Sequence, residues 1–163
     1  MDLELTRTEG DRRLYTLEGV GTLRLEGLFT RTASAEAEGT SWRFARVGFW
    51  QRRSNAIDSA GNPVGEFEPR DLRRGGKLRW GDREFALRPA SSWRERYALA
   101  DGERELAVLD GKSWGRRPVK ITIDEPRAVE PGLLLFSVFV VRGLAEDAGN
   151  GAAATTSATT SGT

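Results

Sequence analysis

The stretch "PGLLLFSVFVVRGLAED", Pro131 to Asp147, decides how this chain is read. Leu133, Leu134, Leu135, Phe136, Val138, Phe139, Val140, Val141 and Leu144 are apolar, and only Ser137 interrupts them before Arg142. Glu130 stands at a capping position and Pro131 suits a first helical turn, so a helix is expected from there to about Asp147. Its apolar side chains face every direction, whereas a surface helix shows a polar face. At ~1.5–3 kcal/mol for each large apolar side chain buried, such a set represents on the order of 15–25 kcal/mol. That exceeds the ~5–15 kcal/mol net stability of an ordinary domain. Enclosure by the rest of the chain is therefore the expected fate of this helix.

Other environments fit less well. A spanning helix needs roughly 20 apolar residues, and the run 132–141 has ten. A membrane-surface helix carries basic residues on a polar face; here that face is missing and Glu130, Glu146 and Asp147 flank the run. A buried strand remains an alternative, given the alternating phenylalanines and valines.

The segments upstream read as strands. "GTLRLEGLF" alternates Leu23 and Leu25 with Arg24 and Glu26, the period of a half-buried strand. "LELT", "RRLYTLEG", "SWRFARV", "FWQRRSNAI", "VGEF", "GKLRW", "REFALRP", "SWRERYAL", "RELAVL" and "PVKITI" follow the same logic, with "RTASAEAEG" as a weaker strand or a loop. "WGDR" and "ADGE" carry turn chemistry. The expected fold is mainly β: a closed antiparallel barrel of about twelve short strands enclosing the hydrophobic C-terminal helix. Closure also removes the exposed edges that so many strands create. Residues 1–147 form the expected barrel domain. Residues 148–163, all small or polar and uncharged, form an expected flexible tail.

The 163 residues fit one domain. The chain has no cysteine and no histidine, which excludes disulfides, thiolate metal sites and the usual base near neutral pH. "MDLELTRTEG" has neither a basic n-region nor an apolar h-region, so a cytoplasmic location is expected. Net charge is only +1, yet 22 of the 25 basic residues are arginines and they cluster along the chain. "RDLRRGGKLR" sets Arg70, Arg73, Arg74, Lys77 and Arg79 against Asp71; "GKSWGRRPVK" carries Lys112, Arg116, Arg117 and Lys120 with no acid. Arg52, Arg53, Arg73, Arg74, Lys77, Arg116 and Arg117 are the candidate anionic-ligand residues. The competing reading makes them solvated faces and turns of a sheet.

No residue set supports catalysis, a metal or a cofactor. "DGKSWG" lacks the first glycine of a phosphate loop, since Leu106 occupies that position. "GVGTLR" has Arg24 where a dinucleotide fingerprint needs its third glycine. Glu66 with Glu68, Glu103 with Glu105 and Glu36 with Glu38 are two-apart neighbours, explained by strand alternation without a cleft. Asp58 in "DSAGNP" suits bonding to its own turn better than calcium. Trp42, Trp80 and Trp93 fit inward strand positions. Trp50 and Trp114 lie beside basic residues, where stacking on bases or anchoring at a membrane surface is open. Nucleic acid is disfavoured by the near-neutral balance.

Together, "AIDSAGNPVGEF", "KLRWGDREFALRP", "WRERYALADGERELAVL" and "PGLLLFSVFVVRGLAED" resemble the tubby-like superfamily, which includes the phospholipid scramblases and the LURP-one-related proteins. The resemblance covers about Leu3 to Asp147 and rests on organisation. It implies a closed barrel threaded by its C-terminal helix and a mostly non-catalytic role. The phosphoinositide pocket of tubby proteins has no residue-by-residue match, and an acidic calcium loop is not identifiable. The expected function is a non-enzymatic scaffold or protein-interaction module with an unknown protein partner. The alternatives are a peripheral module for anionic, phosphoinositide-like headgroups and, least favoured, an uncharacterised enzyme.

Overall fold

The computed structural model of the chain describes residues 1–27, 31–48, 52–70, 74–92, 94–111 and 116–157, the side chains of 150–157 excepted. Trp50, Trp93, Trp114 and Arg73 lie outside the described residues. Twelve strands run in chain order: β1 (Asp2–Arg7), β2 (Leu14–Leu17), β3 (Gly21–Glu26), β4 (Thr32–Ala37), β5 (Thr40–Val47), β6 (Arg53–Asp58), β7 (Pro63–Pro69), β8 (Gly76–Trp80), β9 (Arg83–Pro89), β10 (Arg96–Asp101), β11 (Arg104–Gly111) and β12 (Val119–Thr122). A short 3₁₀ turn, Pro126–Ala128, leads into one helix, α1 (Pro131–Ser157). Each strand pairs antiparallel with its sequence neighbours, and β1 pairs with β12 through Leu3 opposite Ile121 and Leu5 opposite Val119. The sheet is a closed twelve-strand barrel.

The barrel encloses α1. Its residues 132–141 are all buried, and they join one core with inward side chains of the strands, Leu5, Leu23, Phe44, Leu78, Leu99 and Ile121 among them. The helix sits off-centre, closest to β11 and β4. Small residues line that side: Ala33, Ala35 and Ala37 are buried on β4, and a Cβ on Gly111 would come within 3.0 Å of the Ala145 Cβ. Aromatic rings fill the wider gap. Phe136 packs 5.1 Å from Phe44 and 5.8 Å from Trp80, centroid to centroid. Ser137, the polar interruption, is fully buried, and its hydroxyl donates to the Leu133 carbonyl at 2.8 Å. That bond satisfies the hydroxyl within the helix.

The two ends of α1 are fixed differently. At its start, the Glu130 carbonyl accepts the first helical bond from Leu134 N–H at 3.0 Å, while the Glu130 carboxylate accepts from Trp80 Nε1 at 3.0 Å. The side chain thus ties the helix to the wall instead of capping it. Trp42, part-buried, and Trp80, buried, close over this end, and Gly132 fits between them. At the far end, Arg142 bridges to Glu146 at 2.7 Å and Arg46 of β5 to Asp147, all four part-buried. Burial raises the Glu146 pKa, opposed by Arg142 and Arg46.

The helix continues past its expected end at Asp147 to Ser157, so the first ten residues assigned to a tail are helical. Adding a residue to an existing helix requires no new nucleus, and Ala152, Ala153 and Ala154 favour continuation.

Phe136→Asp places an unpaired carboxylate in this core and is expected to abolish folding; a variant with native circular dichroism contradicts enclosure. Gly132→Ala brings a methyl within 2.5 Å of Trp80 Cζ2 and 2.8 Å of Trp42 Cζ2. Denaturant titration should show a loss of ~1–3 kcal/mol.

Candidate functional site: an arginine-bearing end

Because sequential strands are antiparallel neighbours, their connections alternate between the two ends of the barrel. At one end lie the tight turns 18–20, 38–39, 59–62, 81–82 and 102–103, together with the 123–130 lead into α1. Glu38 and Gly39 both take positive φ (51° and 75°), the conformation of a two-residue hairpin turn. Asp58 Oδ1 accepts from the N–H groups of Ala60 and Asn62, both at 2.9 Å, so this carboxylate serves its own turn. These connections carry seven carboxylates, Glu18, Glu38, Asp82, Glu103, Asp124, Glu125 and Glu130, against one arginine, Arg127.

The opposite end collects the long connections 8–13, 27–31, 48–52, 70–75, 90–95 and 112–118. Their described residues hold nine arginines, at 12, 13, 31, 52, 70, 74, 94, 116 and 117, against Glu9, Asp11 and Glu95. Each of the six connections contributes at least one. Counted over the described residues of these connections, the two ends of a chain of net charge +1 therefore carry excesses of six charges and opposite sign.

Between the ends, cross-strand register neutralises the outer wall. Glu66 faces Arg79 and bridges to it at 2.7 Å; Arg53 reaches Glu68 at 3.2 Å and Glu66 at 3.6 Å. Lys77 bridges to Glu84 at 3.2 Å, Arg83 to Asp101 at 2.5 Å and Lys120 to Asp2 at 3.0 Å. Exposed pairs of this kind contribute ~0–1 kcal/mol each and chiefly cancel charge. This charged outer wall is the reverse of the apolar band that a membrane barrel turns to lipid.

The candidate residues from the sequence divide accordingly. Arg52, Arg74, Arg116 and Arg117 lie at the arginine-bearing end, spread over three of its connections. Arg53 and Lys77 lie on the wall in ion pairs, and Arg117 pairs with Glu4 at 3.0 Å. Arg74 is locked into the structure. Its guanidinium donates to the carbonyls of Ser91 (2.5 Å) and Arg94, bridges to Glu95 at 3.3 Å, and lies 5.4 Å from the Tyr97 ring centroid. By contrast Arg12, Arg13, Arg52, Arg70, Arg94 and Arg116 are exposed, and among the described residues their side chains have no ion pair or hydrogen bond. Four of these, Arg12, Arg13, Arg70 and Arg94, were absent from the sequence-derived patch. Arg70 and Arg74 line a cleft of ≈560 Å³ with Ser91 and Ser92.

Among the described residues, no group of three acids is arranged to hold a metal, and no helix is long and apolar enough to cross a membrane. No family model, curated protein or solved structure matches the chain.

Tyr97 supports the Arg74 lock by donating its hydroxyl to Glu95. Burial, then the Glu95 bond, pushes its pKa from 10.0 up to about 12. A group raised on folding contributes stability that is complete below its unfolded value and lost as pH climbs through the folded one. The barrel should therefore lose stability between pH 10.0 and about 12. Tyrosinate absorbance followed with circular dichroism should show this late ionisation, and Tyr97→Phe should remove it. A wild-type titration without a late step contradicts the assignment.

Proposed function

We propose that this chain is a non-enzymatic, tubby-like interaction module that docks its arginine-bearing end on an anionic membrane surface. The observation that carries the reading is the charge segregation: six exposed arginines without described partners share one end, and carboxylates crowd the other. Such a dipole orients the molecule during approach, since an anionic surface attracts one end and repels the other. Helix α1 leaves the barrel at the arginine-bearing end. A ligand must accommodate that central helix, which favours a conformable layer of headgroups over a rigid protein face. The tubby-like assignment is supported by the twelve-strand barrel and its enclosed C-terminal helix. The non-enzymatic reading is supported by wall carboxylates that are committed to ion pairs.

The test is flotation with phosphatidylserine-containing vesicles against neutral ones. Each Arg near such a surface contributes ~1 kcal/mol. Arg52→Ser/Arg70→Ser/Arg94→Ser should therefore weaken binding on the order of a hundredfold, at ~1.4 kcal/mol per tenfold. The wall variant Arg43→Ser should leave it unchanged. Binding that is absent at low salt, or indifferent to the triple variant, overturns the membrane reading and leaves an acidic protein partner in its place.

A further inference from the structure

The arginine-bearing end is uneven. Where the β1–β2 connection meets the β11–β12 connection, Arg7, Thr8, Glu9, Asp11, Arg12 and Arg116 line a pocket of ≈220 Å³. That volume is roughly seven times the ~30 Å³ share of a water molecule, enough for a tetrahedral oxyanion with some of its hydration. Arg7 is part-buried at the end of β1, while Arg12 and Arg116 are exposed. None of the three has a side-chain ion pair or hydrogen bond among the described residues. On the wall, arginines such as Arg53 and Arg79 bridge to carboxylates of neighbouring strands; here three line one pocket without a carboxylate bonded to them.

Backbone bonds fasten the two connections together beside the pocket. Arg7 N–H donates to the Arg116 carbonyl at 2.8 Å, fastening one connection to the other. Thr8 N–H donates to the Leu14 carbonyl at 2.8 Å, and Gly10 takes φ +83°, a left-handed turn that permits the loop to fold back. Of the two acids, Asp11 is already engaged: its carboxylate accepts from Arg13 N–H at 2.9 Å and from Arg24 at 2.8 Å. Glu9 has no such partner among the described residues and is the one opposing charge.

We infer that Arg7, Arg12 and Arg116 form a discrete site for a phosphate monoester group. Guanidinium pairs with phosphate oxygens in bidentate geometry, and three donors, one at the end of β1 and two on the adjoining connections, match a dianion better than a diffuse surface charge. The inference deepens the proposed membrane reading and rests on it only for the choice of end; a lipid headgroup and a free phosphate ester share the chemistry.

Titration of the intact protein with inorganic phosphate at constant ionic strength tests it, followed by NMR and calorimetry. Saturable binding is expected, with amide shifts concentrated in residues 7–12. Arg12→Gln/Arg116→Gln should weaken it at least about tenfold, as expected on removing charge-assisted bonds. Glu9→Gln should tighten it, a gain that damage to the fold cannot imitate. Arg43→Gln should change nothing. Non-saturable shifts, or affinity unaltered in the double variant, overturn the site. If vesicles bind while phosphate does not, the site fails and the membrane reading stands. If phosphate binds with the expected variant effects, vesicles name the source. A preference for phosphatidic acid over phosphatidylserine at equal charge assigns a headgroup; no preference or no vesicle binding assigns a soluble ester.

Discussion

Burial of an unamphipathic helix is the constraint on which the rest of this structure depends. Ten consecutive residues of α1 are buried, and no side of the helix was free to meet solvent. A layer of helices or a single open sheet covers one side only, so a complete cover requires a sheet that closes on itself. Twelve short strands supply that closure, and the β1–β12 pairing completes it. The distribution of residue sizes follows from the helix position. Ala33, Ala35 and Ala37 on β4 and Ala107 and Gly111 on β11 stand where the helix approaches, and Phe44 and Trp80 stand on other strands.

Closure by neighbouring antiparallel strands has a second result. It sends alternate connections to opposite ends, which gives each end an independent composition. The tight, glycine-bearing turns carry acids and surround the start of α1, where carboxylates complement the positive end of the helix dipole. The long connections carry arginines and surround its exit. The wall between is balanced by register, Glu66 against Arg79 and Arg53 against Glu68. Charge that sums to only +1 is thus sorted along the barrel axis, and the sorting needs no dedicated binding element.

The strand pattern and the apolar helix were legible in the sequence because both are local periodicities. Each of the twelve segments became a strand, "RTASAEAEG" included, whose alanines are inward residues under the helix. Asp58 behaves as its turn chemistry implied. The arginine-bearing end was not legible as a unit. Grouping arginines by sequence proximity joined Arg52, which lies in a connection, with Arg53, which lies on the wall and answers to Glu66 and Glu68. The same grouping missed Arg7 and Arg12, whose neighbour Arg116 is more than one hundred positions away. The signal that finds them is present, though: in a meander, charge counted over every second connection separates the two ends. The far extent of α1 escaped because 148–157 has no apolar pattern, and helix continuation there is a matter of propensity.

Native-state hydrogen exchange along α1 tests the enclosed helix most directly. Amides of an element sealed in a barrel open only when the barrel does, so residues 134–145 should exchange with the free energy of global unfolding. Beyond the Arg46–Asp147 pair, protection should fall steeply. Exchange of residues 134–145 at much lower free energy than the slowest strand amides would show that the helix leaves its barrel without unfolding it, and would contradict the account.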